Sequence, residues 1–467
     1  MIELYPFQDE LVGDLRSAIR AGSKSPLLVS PTGSGKTVIF AYLVSRMAEK
    51  GVRSHILAPR KEIIRQISNT LTQFGIEHGF CAAGRPYDPD QLIHVGSVYT
   101  VARRLDQIPV PDYAIIDEAH HAIPESTWDT CVKYWREKNT RLILPGVTAT
   151  PERLSGEGLR GTFDSMIVGP SVRELIDAGF LSDYKIFAPA NAVDVSKMRT
   201  LGGEYRKDDM EGVMVKSTIT GNAVDHYKKY LSGKPAIAFC ISIRHAQHVA
   251  HEFQLEGFNA LSVDGKMSPK LRESITQSFA DGKLDILCSC DLISEGYDVP
   301  GVWGAILLRP TMSKALFLQQ VGRCLRKSPG KDVAFILDHV GNWARHGLPD
   351  TVHEWSLDSK RRKASDKDPD DIAIKQCPEC GFIVGTAALE CSECGYVFET
   401  KGREIQEVEG ELVEITEAQR AMLALPFRSA VAECDDLMQL YEYGKLRKMK
   451  NPWYWAQHVM AARRKRA

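Results

Sequence analysis

Residues 27–37 read Leu27-Leu28-Val29-Ser30-Pro31-Thr32-Gly33-Ser34-Gly35-Lys36-Thr37. The apolar triplet predicts a buried strand, and the run from Lys36 to Lys50 predicts a helix that the glycine-rich turn feeds directly. A phosphate needs this setting. Glycine lets backbone N–H groups face an anion with no Cβ in the way, and the helix N-terminus adds a favourable dipole. Thr32, Gly33, Ser34 and Gly35 are then the cradle, Lys36 the cation for the β- and γ-phosphates, and Thr37 a hydroxyl ligand for Mg2+. The ligand implied is a nucleoside triphosphate. Ser30 stands where the general pattern has glycine. The plain alternative is a glycine-rich β–α turn with a surface lysine, so a second site must decide.

That second site is Ile115-Ile116-Asp117-Glu118-Ala119-His120. An acid at a strand's C-terminal end, facing a phosphate loop, can hold Mg2+. The next acid can polarise the attacking water. Asp117 is thus the metal-side acid and Glu118 the general base. Alone, such a dipeptide reads as a solvated loop end; downstream of a phosphate loop it completes a nucleotide site.

Around these motifs short apolar runs alternate with amphipathic stretches. Strands are predicted over His55–Ala58, Tyr113–Ile116 and Leu142–Leu144, with a helix over Lys61–Phe74. Such alternation indicates a parallel sheet covered on both faces. The pattern restarts after residue 213. Strands are predicted over Ala236–Cys240, Asp285–Cys288, Ala305–Leu308 and Val333–Leu337, and helices near Ala246–Glu256, Pro269–Phe279 and Ala315–Leu325. Ser268 reads as an N-cap before Pro269 at the first helical position. Between the two α/β domains, Ala188–Glu211 has weak periodicity and reads as a connector.

The second domain carries Gln319-Gln320-Val321-Gly322-Arg323-Cys324-Leu325-Arg326. On a helix, Arg323 and Arg326 share one face. Paired guanidinium groups suit the charge that grows during γ-phosphoryl transfer; the plain alternative is an exposed basic helix.

Taken together, the motifs resemble those of superfamily 2 helicases of the DEAH type. Asp117-Glu118-Ala119-His120 spells the box. Leu4-Tyr5-Pro6-Phe7-Gln8 is similar to the adenine-reading motif, which makes Gln8 the base contact. Ala58–Glu62 and Gly96–Val98 resemble motifs Ia and Ib, which line the nucleic-acid path in the family. Thr148-Ala149-Thr150 resembles motif III, which couples hydrolysis to movement, and Phe239–His245 resembles motif IV. Ser294–Pro300 resembles motif V and implies nucleotide contacts from Gly296 and Asp298; Gln319–Arg326 resembles motif VI and adds Gln319 to the catalytic set. The order holds from about residue 3 to 340. Asp338-His339 and Gly341-Asn342, followed by cysteines, resemble bacterial RadD-type proteins and phage or prophage helicases, which points to DNA.

Downstream lie Cys377-Pro378-Glu379-Cys380-Gly381 and Cys391-Ser392-Glu393-Cys394-Gly395. Two Cys-x-x-Cys pairs, each followed by glycine, can close on one tetrahedral ion, with Zn2+ the commoner occupant and a rubredoxin-like iron the alternative. The other seven of the eleven cysteines are scattered and read as small buried hydrophobes. Four thiolates leave no open position for a catalytic water, so the module serves nucleic-acid engagement or a protein partner. The tail from Lys445 is basic, with Trp453, Tyr454 and Trp455 among the cations. It reads equally as a phosphate-and-base contact and as a packed terminal helix.

The net charge of −1 advertises no global field for a polyanion. Apolar runs are short, no membrane span is expected, and the start lacks the pattern of a secretory signal, so the expected compartment is the cytoplasm. The expected fold is two tandem RecA-like α/β domains, a small zinc ribbon and a helical tail. The expected boundaries are 1–185 for the first domain, 186–212 for a connector and 213–345 for the second domain. A charged linker over 346–375, the ribbon over 376–400 and the acidic-then-basic tail over 401–467 complete the chain. The expected activity is an ATP-dependent helicase or translocase on single-stranded or branched DNA. RNA as the substrate, or an ATP-binding nucleic-acid clamp that recruits a protein, are the alternatives. No separate nuclease motif accompanies the motor, which disfavours a restriction-enzyme motor subunit.

Overall fold

Four buried residues, Pro26–Val29, form strand β1, and the chain beyond it turns straight into a helix. The remaining strands of the first sheet are β2 Ser54–Ala58, β3 Gly79–Cys81, β4 Ile93–Ser97, β5 Tyr113–Asp117, β6 Gly146–Thr148 and β7 Ser165–Val168. All pair in parallel, in the order β3-β4-β2-β5-β6-β1-β7. One face is covered by α1 Pro6–Arg20, α2 Lys36–Ala48 and α3 Lys61–Gln73, the other by α4 Val98–Ala102 and α5 Thr127–Lys138. Parallel order places the ends of β1, β5 and β6 side by side, so the loops after them share one edge. The structure is a computed structural model and describes residues 2–151, 158–188, 198–201, 204–206, 210, 219–290, 292, 301–358, 374–377, 379–380, 382–385, 388–398, 427–446, 449 and 451–464.

One strand lies off its expected place. Leu142–Leu144 pairs only through an isolated bridge from Ile143 to Tyr113, and the ladder begins after Pro145. Leu142 and Leu144 are nonetheless buried in the core. Their apolar character reports burial, and the same signal serves a strand and a covered approach to one.

The second sheet comprises β8 Asp183–Phe187, β11 Ala236–Cys240, β12 Ala260–Val263, β13 Ile286–Cys290, β14 Gly304–Leu307 and β15 Val333–Asp338, while β9 Thr200–Leu201 and β10 Glu204–Tyr205 form a separate hairpin. Its order is β12-β13-β11-β14-β15-β8, again parallel. The helices of this part are α6 Val172–Asp177, α7 Ile219–Tyr230, α8 Ile243–Leu255, α9 Pro269–Ala280, α10 Lys314–Leu325 and α11 Asn342–His346. The Ser268 hydroxyl accepts from Leu271 N at 3.3 Å, as the N-cap reading expects. Strand β8, divided in sequence between the first domain and the connector, instead completes the second sheet. Alternation marks a strand but not its partner; Ile186 and Phe187 fill the second core.

Residues 346–358, expected as the start of a linker, are a strap back to the first domain. The Leu357 carbonyl accepts from Leu159 N at 2.8 Å and Arg160 N at 3.1 Å, and its side chain is buried in the first core. The cysteine module, with strands β16 Ile374–Gln376 and β17 Ile383–Gly385, does not stand apart either. Phe382 and Tyr230 close on Phe187, with ring centroids 5.5 and 4.0 Å away, and the Tyr230 hydroxyl donates to the Cys380 carbonyl at 2.9 Å.

The C-terminal unit is a compact helical piece, α12 Phe427–Ala432, α13 Leu437–Leu446 and α14 Pro452–Arg464, around Ala430, Cys434, Leu440, Tyr443 and Ala456. Among the described residues no helix is long and apolar enough to cross a membrane.

Candidate active site and metal centre

The turn after β1 is shaped by Gly33 at φ +92° and Gly35 at φ +79°, values an L side chain rarely adopts. The Lys36 ammonium, at the first turn of α2, donates to the Ser30 carbonyl at 3.0 Å and the Pro31 carbonyl at 2.9 Å. The cation thus lies within the glycine-rich turn after β1. Burial pushes its pKa down to about 8, opposed by Glu118 and Asp117 and assisted by Arg326 and Arg323. Those four groups define its electrostatic surroundings, two from each domain. Ser30, the departure from the glycine pattern, hydroxyl-bonds Ser34 at 2.7 Å inside the turn.

Asp117 ends β5. Burial, then Glu118, raise its carboxyl to about 7, although the Glu118 amide donates to it at 2.9 Å and Lys36 pulls the other way. Glu118 sits at φ 50°, one of two non-glycine residues with positive φ among those described. Such strain costs on the order of 1 kcal/mol and persists where packing imposes it. His120 lies with Nδ1 3.0 Å from the Thr148 hydroxyl and 3.5 Å from the Glu118 carboxylate. The Thr148 hydroxyl itself donates to the Thr150 carbonyl at 2.9 Å. Its proton is therefore committed, and His120 Nδ1 must carry a hydrogen to reach it. The box after β5 and the turn after β6 are one hydrogen-bonded unit.

Gln8 is buried on α1; its amide donates to the Ser34 carbonyl at 2.9 Å and its oxygen accepts from Tyr5 N at 3.1 Å. Tyr5, Phe7 and Phe180 group beside it, with Phe180 4.7 Å from Tyr5 and 4.9 Å from Phe7 between ring centroids. Phe180 was not read from the sequence. An isolated aromatic after a short helix gives no signal until the fold brings it to Tyr5.

The second domain meets this loop through α10. A Cβ on Gly322 would come within 2.6 Å of Thr32 Cβ, and a Cβ on Gly33 within 3.4 Å of Arg326 Cγ. Gln319 and Arg323 are buried on the same helix. Arg326 is not on it: it is the C-cap, extended at φ −62° and ψ 138°. The two arginines therefore converge by a change of backbone direction rather than by helical spacing. Gly296 and Asp298 lie outside the described residues. Thr37 occupies α2 one residue after Lys36.

In the cysteine module the four Sγ atoms of Cys377, Cys380, Cys391 and Cys394 lie within 4.8 Å of one another. Cys377 to Cys394 is 3.6 Å and Cys380 to Cys391 is 3.7 Å. Sulfurs at about 2.3 Å from a tetrahedral zinc would stand about 3.8 Å apart. The donor set fits that ion. In the tail, Arg463 caps its own helical unit through the Cys434 carbonyl at 2.6 Å and the Val431 carbonyl at 2.5 Å. Trp455 packs inward while Trp453 and Tyr454 are exposed.

Residues 1–153 match a family described as the res subunit of type III restriction enzymes, and residues 221–328 match the helicase conserved C-terminal domain. Residues 375–400 match a family described only as uncharacterised. A 51.5 kDa protein of a Lactococcus phage is 36% identical over 356 residues, covering 76% of this chain and 74% of its own. Irc3 of Saccharomyces cerevisiae, named provisionally as an ATP-dependent helicase, is 27% identical over 72% of this chain, which spans 51% of that protein. Among solved structures, a fragment assigned provisionally to the HsdR subunit of a type I restriction enzyme from Vibrio vulnificus superposes with a TM-score of 0.58 at 21% identity, over 74% of this chain and 65% of that one. The chain thus spans about half of the yeast relative and just under two thirds of the Vibrio fragment.

Proposed function

The chain belongs to the superfamily 2 helicases, and from that premise we propose that it is an ATP-dependent DNA helicase or translocase. One observation carries the reading: the end of α10 brings Gly322 against Thr32 and Arg326 against Gly33 in the turn that holds Lys36, beside Asp117 and Glu118 of the first domain. Such a convergence suits a triphosphate bound between two domains.

The roles follow from chemistry. The turn over Thr32–Gly35 holds phosphate oxygens, and Lys36 turns from loop carbonyls to the β- and γ-phosphates. Thr37 and Asp117 hold Mg2+, which offsets charge on the phosphates when bound. Glu118 takes the proton of the attacking water. Arg323 and Arg326 steady the charge that develops on the transferred group, and Gln319 lines their helix. Gln8 reads the adenine edge. Gly296 and Asp298 are assigned to the nucleotide on their motif alone. Closure assembles the site, and release after hydrolysis lets the domains part, which moves the protein along its strand. The four cysteines hold a structural Zn2+, and metal content of the purified protein tests that.

DNA as the substrate is supported by the restriction-enzyme family that the first domain matches and by residues 338–342. The module and tail offer surfaces for DNA or a protein partner, and the protein acts in the cytoplasm. ATP hydrolysis with single-stranded DNA, duplex DNA and RNA tests the reading, with Lys36→Ala as the control. Stimulation by DNA and loss of nearly all turnover in Lys36→Ala are expected. Stimulation by RNA alone would reassign the substrate, and wild-type turnover in Lys36→Ala would remove the nucleotide site.

A further inference from the structure

Helix α10 delivers Arg323 near its end and Arg326 just past it, so whatever fixes that end fixes both guanidinium groups. A helix terminus leaves its last carbonyls without intrahelical partners, and here those of Cys324, Leu325 and the C-cap Arg326 each find a donor. The Leu325 carbonyl accepts from Ser182 N at 2.8 Å. The carbonyls of Cys324 and Arg326 both accept from the Lys331 ammonium, the latter at 2.7 Å. The third bond of that ammonium goes to the Val302 carbonyl at 2.8 Å, in the chain entering β14.

A tight turn brings Lys331 there. Lys331 N donates to the Ser328 carbonyl at 3.1 Å, and Gly330 at φ +74° reverses the chain, so the side chain runs back beneath the helix. Lys331 is 3% exposed. An ammonium has three donors and no acceptor, so three carbonyls satisfy it completely. A cation at a helix C-terminus also meets the negative end of the helix dipole. Burial pushes its pKa down to about 8, which still leaves the ammonium form prevailing at neutral pH.

We infer that Lys331 is a positioning residue for the reaction: its ammonium clamps the terminus of α10 and thereby aims Arg326, and with it Arg323, at the nucleotide. The inference rests on the proposed role of the arginines. Arg326 leaves the helix in an extended conformation with its Cγ packed against the phosphate loop at Gly33. Without the clamp two carbonyls at the turn lose their donor, the terminus frays and the guanidinium is no longer held in place.

The test is a mutant cycle on the full-length protein, reading single-turnover ATP hydrolysis with single-stranded DNA, and KM and kcat at steady state. Lys331→Met is expected to lower kcat roughly tenfold to a hundredfold with KM for ATP changed by less than about threefold, because misplacement of a group acting in the transition state costs turnover more than binding. In an Arg326→Ala background the same substitution should cost several-fold less than in the parent, since the group it chiefly aims is gone and only Arg323 is left to misplace. Lys331→Arg, which restores a buried cationic donor, should recover most of the lost rate. Wild-type kcat in Lys331→Met, or a full extra loss in the Arg326→Ala background, would overturn the inference. Wild-type kcat in Arg326→Ala alone would instead remove the arginine role beneath it. If Lys331→Met does not fold, as a melting curve shows, Lys331→Gln, whose amide can still meet one carbonyl, carries the same cycle with the same two overturning results.

Discussion

At the scale of single residues, Glu118 and Asp117 are adjacent acids with opposite demands. Glu118→Gln keeps the shape and the left-handed backbone but removes the proposed base. ATP binding is expected to persist while hydrolysis falls by about a hundredfold or more. Loss of ATP binding in a folded variant would sink its role as base. Asp117 makes a stability prediction. Its folded carboxyl titrates near 7 because burial and Glu118 oppose its charge, whereas an unfolded aspartate titrates near about 3.9. Between those values the folded state holds a proton the unfolded state lacks, so stability falls as pH rises. Asp117→Asn escapes that loss. Its melting temperature without nucleotide should exceed that of the parent by about 2–5 °C at pH 8, with the gap closing toward pH 4. Equal melting at pH 8 would show the carboxylate is compensated. The same variant should hydrolyse almost no ATP, the stability–activity conflict expected of a site built to bind cations.

At the scale of elements, the contact between α10 and the phosphate loop separates fold stability from closure. Gly322 lies within the helix, where alanine would be favoured by about 1 kcal/mol. Its Cβ would nonetheless stand 2.6 Å from Thr32 Cβ, an atom with little freedom to yield. Gly322→Ala should therefore melt no lower than the parent yet hydrolyse ATP about tenfold more slowly or worse, because the domains cannot close fully. Normal turnover in this variant would mean that the closed contact is not the hydrolysing arrangement. The helix pattern around Gly322 is plain in the sequence. That Arg326 departs from helical geometry to meet Gly33 is not, since three-residue spacing suggests a continued helix and the C-cap depends on Lys331 from beyond the turn.

At the scale of the whole molecule, the cysteine module is part of the second domain's surface rather than a pendant. Phe382 covers Phe187 and the Tyr230 hydroxyl bonds the Cys380 carbonyl. A chain cut after residue 359 should thus lose about 5 °C or more in melting temperature and part of its ATPase, contrary to the reading of a separate module. A cut after residue 400, which spares the module, should leave both unchanged. If the shorter chain melts like the parent, the module is a passenger on that surface. Within the C-terminal unit Arg463 already serves backbone carbonyls, so Arg463→Ala should unfold that unit before it changes salt-dependent DNA binding.

The sequence by itself determined the two parallel-sheet domains, the glycine-rich turn after β1, the acidic box at the end of β5 and the cysteine tetrad. Each is written in a local code: strand and helix periodicity, glycines at sharp turns, ligand spacing. Only the tertiary structure decided which parts meet. Strand β8 joins the second sheet because Ile186 and Phe187 find their cavity there, residues 346–358 return to the first domain because Leu357 is buried in it, and Lys331 reaches carbonyls from two other segments. An apolar or charged side chain announces that it needs a partner, but the partner's identity depends on contacts distant in sequence, which no local pattern records.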